Sequence, residues 1–213
     1  MHFNWMTSFK SQNFFQLINF ILFMSAKKNN IRFISGQWKG RTISFPSVDG
    51  LRPGTGLMRE TLLNWLRFDL DGALILDAFA GSGILGLDAL SEGAGHVDAI
   101  DISPLAVQSI ENTTRHLPQC ALSVYQGSFP SKIPKVIQEK KYDYIFLDPP
   151  YDSSLLKESL DFLKDGAMLF SYTKIFIHYP SHPFDLDDCW ETIKSSQRGH
   201  SGFSIISLKD FNG

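Results

Sequence analysis

The chain has 213 residues, 43% hydrophobic and 20% charged, a composition that fits one α/β domain with an arm and excludes a disordered or fibrous chain. Two cysteines, Cys120 and Cys189, exclude a disulfide framework, and no Cys/His spacing points to a metal, which together favour a reducing compartment. The formal net charge of −2 hides an asymmetry: residues 24–67 carry eight Lys/Arg against Asp49 and Glu60, while the remainder of the body is strongly acidic. A basic arm on an acidic body suits a polyanion, nucleic acid first, with a merely solvated basic face as the alternative.

Residues 1–23 carry one charged side chain, Lys10, and include the apolar run Phe14 to Phe23. That run is too short to span a bilayer, and its flanks lack the basic start and cleavage site of a secretory signal. An upstream extension before a true start at Met24, an amphipathic segment packed on the body, and an export signal remain open. Residues 24–68 form a basic region in which Ile31–Ser35 and Arg41–Phe45 read as strands around the turn Gly36-Gln37-Trp38-Lys39-Gly40. Pro46 to Gly56 reads as loop, and Leu57–Phe68 follows helical spacing.

Residues 69–213 alternate strand and helix. The strands are expected at Leu74–Asp77, His96–Ile100, Leu122–Tyr125, Tyr142–Leu147 and Ile175–Tyr179, with a closing hairpin of Trp190–Ser196 and Phe203–Leu208. Helices are expected at Ile84–Ser91, from Pro104 to about Leu117 behind an N-cap at Ser103, at Lys132–Gln138 and at Leu155–Leu163. Such alternation implies a mainly parallel sheet covered by helices on both faces.

Between the first strand and helix of this body lies Gly81-x-Gly83-x-x-Gly86. Glycines there let the backbone turn tightly and approach a ligand, and the helix start that follows offers free amides to an anionic group. The second strand ends at Asp101, whose carboxylate can accept both hydroxyls of a ribose. Both NAD and a nucleoside such as S-adenosylmethionine fit this turn. Asp77, just before the glycines, tilts the reading toward S-adenosylmethionine, because a carboxylate suits a sulfonium and an amino group and repels a pyrophosphate.

The fourth strand ends in Asp148-Pro149-Pro150-Tyr151. Two prolines stiffen the loop and remove two backbone donors, so it presents acceptors toward the cofactor at the sheet's switch point. Acceptors suit an exocyclic aromatic amine as nucleophile, because its nitrogen must pyramidalise and develops positive charge during attack. The Asp148 carboxylate and the Pro149 carbonyl are the candidate acceptors, with Pro150 completing the rigid loop and Tyr151 stacking on a flat base. Taken alone, Asp-Pro and Pro-Pro are ordinary turn formers.

Taken together, these residues resemble the amino-methyltransferases that use S-adenosylmethionine, whose hallmark is Asp/Asn-Pro-Pro-aromatic. More closely, the chain resembles the RsmD family, the 16S rRNA guanine-N2 methyltransferases. The matching segments are Ile31 to Arg41 (IRFISGQWKGR), Leu51-Arg52-Pro53, Arg59-Glu60-Thr61-Leu62, Asn64-Trp65-Leu66, the turn Asp77 to Gly86, and Asp148 to Tyr151, within residues 31–208. The resemblance implies a Rossmann-like class I fold, a doubly wound seven-stranded sheet with a short N-terminal hairpin and helix. It implies S-adenosylmethionine held by Asp77, Phe79, Gly81, Ser82, Gly83, Asp101, Ile102 and Ser128, and catalysis by the tetrapeptide. It further implies that Arg32, Lys39, Arg41, Arg52 and Arg59 meet rRNA phosphates, with a local pairing of Arg59 to Glu60 as the alternative for that residue. The partner would be 16S rRNA in the small subunit, its target base flipped out or in a loop, and the enzyme a cytoplasmic monomer with no membrane partner.

Two departures stand out. Gly54-Thr55-Gly56 replaces a Thr followed by an Asp, and His178-Tyr179 stands where the family commonly has an acidic residue after the fifth strand. Three other activities compete. DNA adenine-N6 methylation uses the same tetrapeptide but needs a recognition domain for which the body leaves little room. A non-catalytic RNA-binding module would not need Asp77, Asp101 and Asp148 together. An NAD oxidoreductase leaves the tetrapeptide without a role.

Overall fold

The computed structural model describes residues 28–46, 56–151, 153–180 and 184–209. The expected extension over 1–23, Arg52 and most of the loop between Pro46 and Gly56 lie outside the described residues. In chain order the elements are β1 (Lys28–Arg32), β2 (Thr42–Pro46), α1 (Gly56–Leu66), β3 (Leu74–Asp77), α2 (Ile84–Ser91), β4 (His96–Asp101), α3 (Pro104–Thr114), β5 (Leu122–Gln126), α4 (Lys135–Gln138), β6 (Tyr142–Leu147), α5 (Leu155–Leu163), β7 (Leu169–Pro180), β8 (Trp190–Arg198) and β9 (Ser201–Leu208).

β1 and β2 form a separate antiparallel ladder, and the other seven strands make one sheet in the order β5-β4-β3-β6-β7-β9-β8. Neighbours from β5 through β7 pair in parallel, while β9 runs antiparallel to β7 and β8. The chain winds outward one way from β3 to β5 and then the other way from β6, so the strand order reverses between β3 and β6. Side-chain alternation covers both faces. Ile75, Phe146, Phe176 and Ile205 point into the core shared with α1, α2 and the hairpin. Leu76, Ile145, Ile175 and Ile206 point into the opposite core with α5. No helix among the described residues is long and apolar enough to cross a membrane.

Several boundaries differ from the sequence reading, and three of the differences have an identifiable local reason. β1 starts at Lys28 and ends at Arg32, yet the pairing continues beyond it: the Phe33 amide donates to the Arg41 carbonyl (2.9 Å) and Gly40 N to the Phe33 carbonyl (3.1 Å). α4 begins at Lys135 because Pro134 disfavours helical geometry at Ile133, and Lys132 instead bridges Ser128. β7 is far longer than expected. Its first half contains the exposed run Phe170-Ser171-Tyr172, which lacks an apolar pattern, and its register against β6 shifts between Tyr142 and Tyr144. Thr173 spans that irregularity, accepting from Phe170 N (2.8 Å) and donating to the Tyr142 carbonyl (2.6 Å).

The hairpin is bolted to the C-terminal end of α2. Gln37 N donates to the Ser91 carbonyl (2.7 Å) and Gln37 Nε2 to the Leu90 carbonyl (3.1 Å), satisfying acceptors that a helix end leaves without partners. Ser91 Oγ donates to the Ser35 carbonyl (2.7 Å) and accepts from Trp38 N (3.0 Å). Gly36 has φ 75°, and a Cβ on it would lie 1.9 Å from the Ser91 oxygen, so no other residue fits this contact. Trp38 is buried edge-on to Phe33 and serves as a packing residue.

Candidate active site

The carboxyl ends of five parallel strands bring the candidate residues to one edge of the sheet. β3 delivers Asp77, β4 Asp101, β5 the segment leading to Ser128, β6 Asp148, and β7 His178. The glycine turn is held between them. Ala78 N donates to the Phe146 carbonyl (3.1 Å), Ala80 N to the Ile100 carbonyl (2.9 Å), and Gly127 N to the Asp101 carbonyl (3.0 Å). Gly83 sits at φ 77° as the N-cap of α2, and a Cβ there would press to 2.9 Å from Ile110 of α3. Gly81 is also left-handed, and Ser82 is buried between the two glycines.

Asp101 fixes this turn. Its Oδ2 accepts from Gly81 N (2.7 Å) and its Oδ1 from Ser103 N (2.8 Å). A carboxylate has lone pairs left for further donors after those two. Burial raises its proton affinity, and the two backbone donors work against that rise. Beside it, Ile102 is 71% exposed, an apolar surface next to a polar one. Phe79 packs edge-on to Phe129, and Ser128 exchanges backbone hydrogen bonds with Lys132.

Asp77 is 1% exposed. Its Oδ2 accepts from Gly86 N (3.2 Å), whereas Oδ1 is buried without a full hydrogen bond, the Phe79 amide contributing only weakly. Burial, then the charges of Asp148 and Asp101, push its carboxyl up to about 7. An orphaned buried carboxylate oxygen against a glycine turn is what a cationic, N–H-bearing ligand would complete, so the residues present fit S-adenosylmethionine.

A pH effect follows from Asp77. Its carboxyl in the folded chain lies above the ordinary carboxylate range, so the folded chain holds the proton more tightly than the unfolded one. That contribution to stability is fully present below about 4 and is lost as pH rises through about 7. Asp88 and Asp101 are raised as well and act in the same direction. Urea unfolding of the ligand-free protein is therefore expected to show stability falling between those limits, with a shallower fall in Asp77→Asn. Equal slopes in the two proteins would exclude Asp77 as a source.

Asp148 and Tyr151, both expected in the site, are joined by His178, which the sequence-based site did not include. Asp148 Oδ1 lies 2.7 Å from His178 Nδ1, and His178 Nε2 lies 2.5 Å from the Tyr151 hydroxyl. The Tyr151 and His178 rings meet edge to face at 5.0 Å, and Phe203 of β9 flanks the imidazole at 6.5 Å. Pro149 is buried, and the Pro150 carbonyl accepts from Ser153 Oγ (2.6 Å). The signal for His178 was its place at the end of a strand beside the switch point, where the sequence registered only a departure.

The basic residues do not gather at this edge. Arg32, Lys39 and Arg41 are exposed on the hairpin, whose turn lies at the far end of α2 from the glycine turn. Arg32 Nε donates to the Gly40 carbonyl (3.1 Å). Arg59 is a correction: it is 5% exposed, and its Nε pairs at 2.6 Å with Asp88 Oδ2, itself 2% exposed, while Nη2 donates to the Arg32 carbonyl (3.1 Å). Its guanidinium is consumed inside the protein and is closed to a phosphate. The alternative pairing with Glu60 is not the one seen: the partner is Asp88 of α2, 29 positions away.

The family model described as Conserved hypothetical protein 95 matches residues 31–207. The chain is 35% identical over 147 residues to Ribosomal RNA small subunit methyltransferase D of Escherichia coli strain K12, covering 69% of this chain and 73% of that protein. It is 33% identical over 151 residues to the protein of the same name from Buchnera aphidicola subsp. Acyrthosiphon pisum, covering 71% and 78%. Among solved structures, the yhhF protein of Escherichia coli superposes with a TM-score of 0.76 at 29% identity, covering 85% of this chain and 99% of that one.

Proposed function

The chain belongs to the Conserved hypothetical protein 95, or RsmD, family of Rossmann-like class I methyltransferases, and from that premise we propose that it methylates the exocyclic N2 of a guanine in 16S rRNA of the small ribosomal subunit. The observation that carries the reading is the meeting, at one sheet edge, of the buried Asp77 carboxyl, one oxygen of which lacks a full hydrogen bond, with the acceptor-rich loop from Asp148 to Tyr151. S-adenosylmethionine supplies an electrophilic methyl carbon to such a site. Asp77, Phe79, Gly81, Ser82, Gly83, Asp101, Ile102 and Ser128 would hold it.

The loop acts on the nucleophile. Asp148 and the Pro149 carbonyl accept the two N–H groups of the guanine amine, which turns its lone pair out of the ring and spreads the positive charge that develops on nitrogen. With the cofactor bound, that lone pair would form the new N–C bond as the methyl carbon's bond to the sulfonium sulfur breaks, its electron pair staying on the departing thioether. One N–H proton then leaves to the Asp148 carboxylate and on to water. Tyr151 offers the flat base an aromatic face, and Pro149 and Pro150 keep the loop from reorganising during the reaction.

Residues 24–68 serve as the RNA-facing region and 69–213 as the body that transfers the methyl group, in a cytoplasmic monomer. Lys39, Arg41 and Arg32 meet phosphates remote from the target base, which suits a substrate as large as a ribosomal subunit, and Arg52 meets a phosphate as well. The test is transfer of a labelled methyl group to small subunits from a strain lacking this gene, followed by nucleoside analysis. N2-methylguanosine in 16S rRNA is the expected product; N6-methyladenine in a DNA control and none in rRNA would overturn the reading. In the same assay, Lys39→Glu with Arg41→Glu should raise the KM for subunits at low salt and reduce the salt slope by about 2. An unchanged slope would remove the hairpin from RNA contact.

A further inference from the structure

The Asp148 carboxylate must present a lone pair to the amine while resisting rotation about its own side-chain bonds. A loop carboxylate without support would sample several orientations, and each inactive one weakens catalysis. In this chain the support comes from another strand. His178, on β7, is buried between the rings of Tyr151 and Phe203 and reaches Asp148 Oδ1 through Nδ1 (2.7 Å) and the Tyr151 hydroxyl through Nε2 (2.5 Å).

The chemistry of the partners sets the proton positions. A carboxylate only accepts, so Nδ1 carries the hydrogen that it donates to Oδ1. In neutral imidazole the other nitrogen is then an acceptor, and the Tyr151 hydroxyl donates to it. Among the described residues no donor is paired with Oδ2, which leaves that oxygen for the amine.

We propose that His178 is a positioning residue for methyl transfer, an Nδ1–H imidazole that holds the Asp148 carboxylate and the Tyr151 ring as one acceptor wall for the base. This rests on the methyl-transfer reading of the site. His178 touches neither the methyl donor nor the amine, so its removal acts on the rate of the bound complex and leaves cofactor affinity unaffected.

Imidazole does here what the acidic side chain common in the family does not: it donates on one side and accepts on the other, whereas an ionised carboxylate only accepts.

The test separates positioning from packing. His178→Ala is expected to lower kcat on small subunits by about 10- to 100-fold with an unchanged KM for S-adenosylmethionine. His178→Asn keeps an amide N–H at the place of Nδ1 and loses the reach to Tyr151, so it should recover most of kcat. A packing role would instead leave Asn no better than Ala, and wild-type kcat in His178→Ala would overturn the proposal outright. Nitrogen-15 NMR of the imidazole in the wild-type protein gives a readout free of activity and of variant folding. A protonated Nδ1 with a bare Nε2, perturbed by Tyr151→Phe and released by Asp148→Ala, is expected; the opposite tautomer would overturn the assignment. Absence of methyl transfer by the wild type would sink the proposed reaction, while the tautomer measurement would still decide the array.

Discussion

Asp148→Ala is expected to lower methyl transfer to small subunits about a thousandfold in single-turnover measurements, the range that follows when a preorganised group that stabilises transition-state charge is removed. Cofactor affinity, checked by titration calorimetry, is expected to stay the same or rise. The reason lies one strand away: the charge of Asp148 is the second-largest cause holding Asp77 in its protonated form. Its removal favours the ionised Asp77 that a cationic ligand needs. Asp148→Asn retains one of the two acceptor oxygens, to serve the amine or His178 Nδ1, and so is expected to lose less activity than the alanine variant. A folded Asp148→Ala protein that no longer binds cofactor would show that this carboxylate holds the methyl donor and that the nucleophile is activated elsewhere.

The residues on which this expectation rests were legible in the sequence because they obey a rule of chain order. In a parallel sheet every strand delivers its last residue to the same edge, so Asp77, Asp101 and Asp148 could be placed together from their positions after apolar runs. β3 and β6 were readable to the residue, since a strand buried on both faces shows as a mostly apolar run, here Leu74 to Leu76 and Tyr144 to Leu147. β7 was readable only where it is buried. Its exposed first half carries Phe170 and Tyr172 stacked on each other at the surface, a pattern that no burial rule generates.

What the sequence hid were the pairings. His178 lies 30 positions from Asp148, and Asp88 lies 29 from Arg59. A partner at that separation leaves no local trace. Asp88 did leave a partial one: it is the lone charge in ILGLDALS, a helix buried along its whole length, and a charge in such a place requires an opposite charge. The need was visible, but the identity of Arg59 as its answer required the fold, in which α1 crosses α2 beside the hairpin.

That ion pair sets the other large effect. Arg59→Ala should cost about 3–5 kcal/mol, because it strands a carboxylate that is already short of partners. Asp88 Oδ1 has no full hydrogen bond, and burial raises its proton affinity against the pull of Arg59. For a chain of this length the loss corresponds to a fall in Tm on the order of 10 °C. The double variant Arg59→Met with Asp88→Leu removes both charges in similar volume and should unfold close to wild type. The deficit of Arg59→Ala also depends on pH, since without the guanidinium Asp88 moves further up. Its stabilising protonation is then present in acid and lost as pH rises, so the gap to wild type is smallest in acid and widens toward neutrality. A gap of constant size, still present in the double variant, would trace the loss to the packing of the Arg59 side chain and to its hydrogen bond with the Arg32 carbonyl. The hairpin's attachment to α2 would then depend on contact area, with charge playing no part.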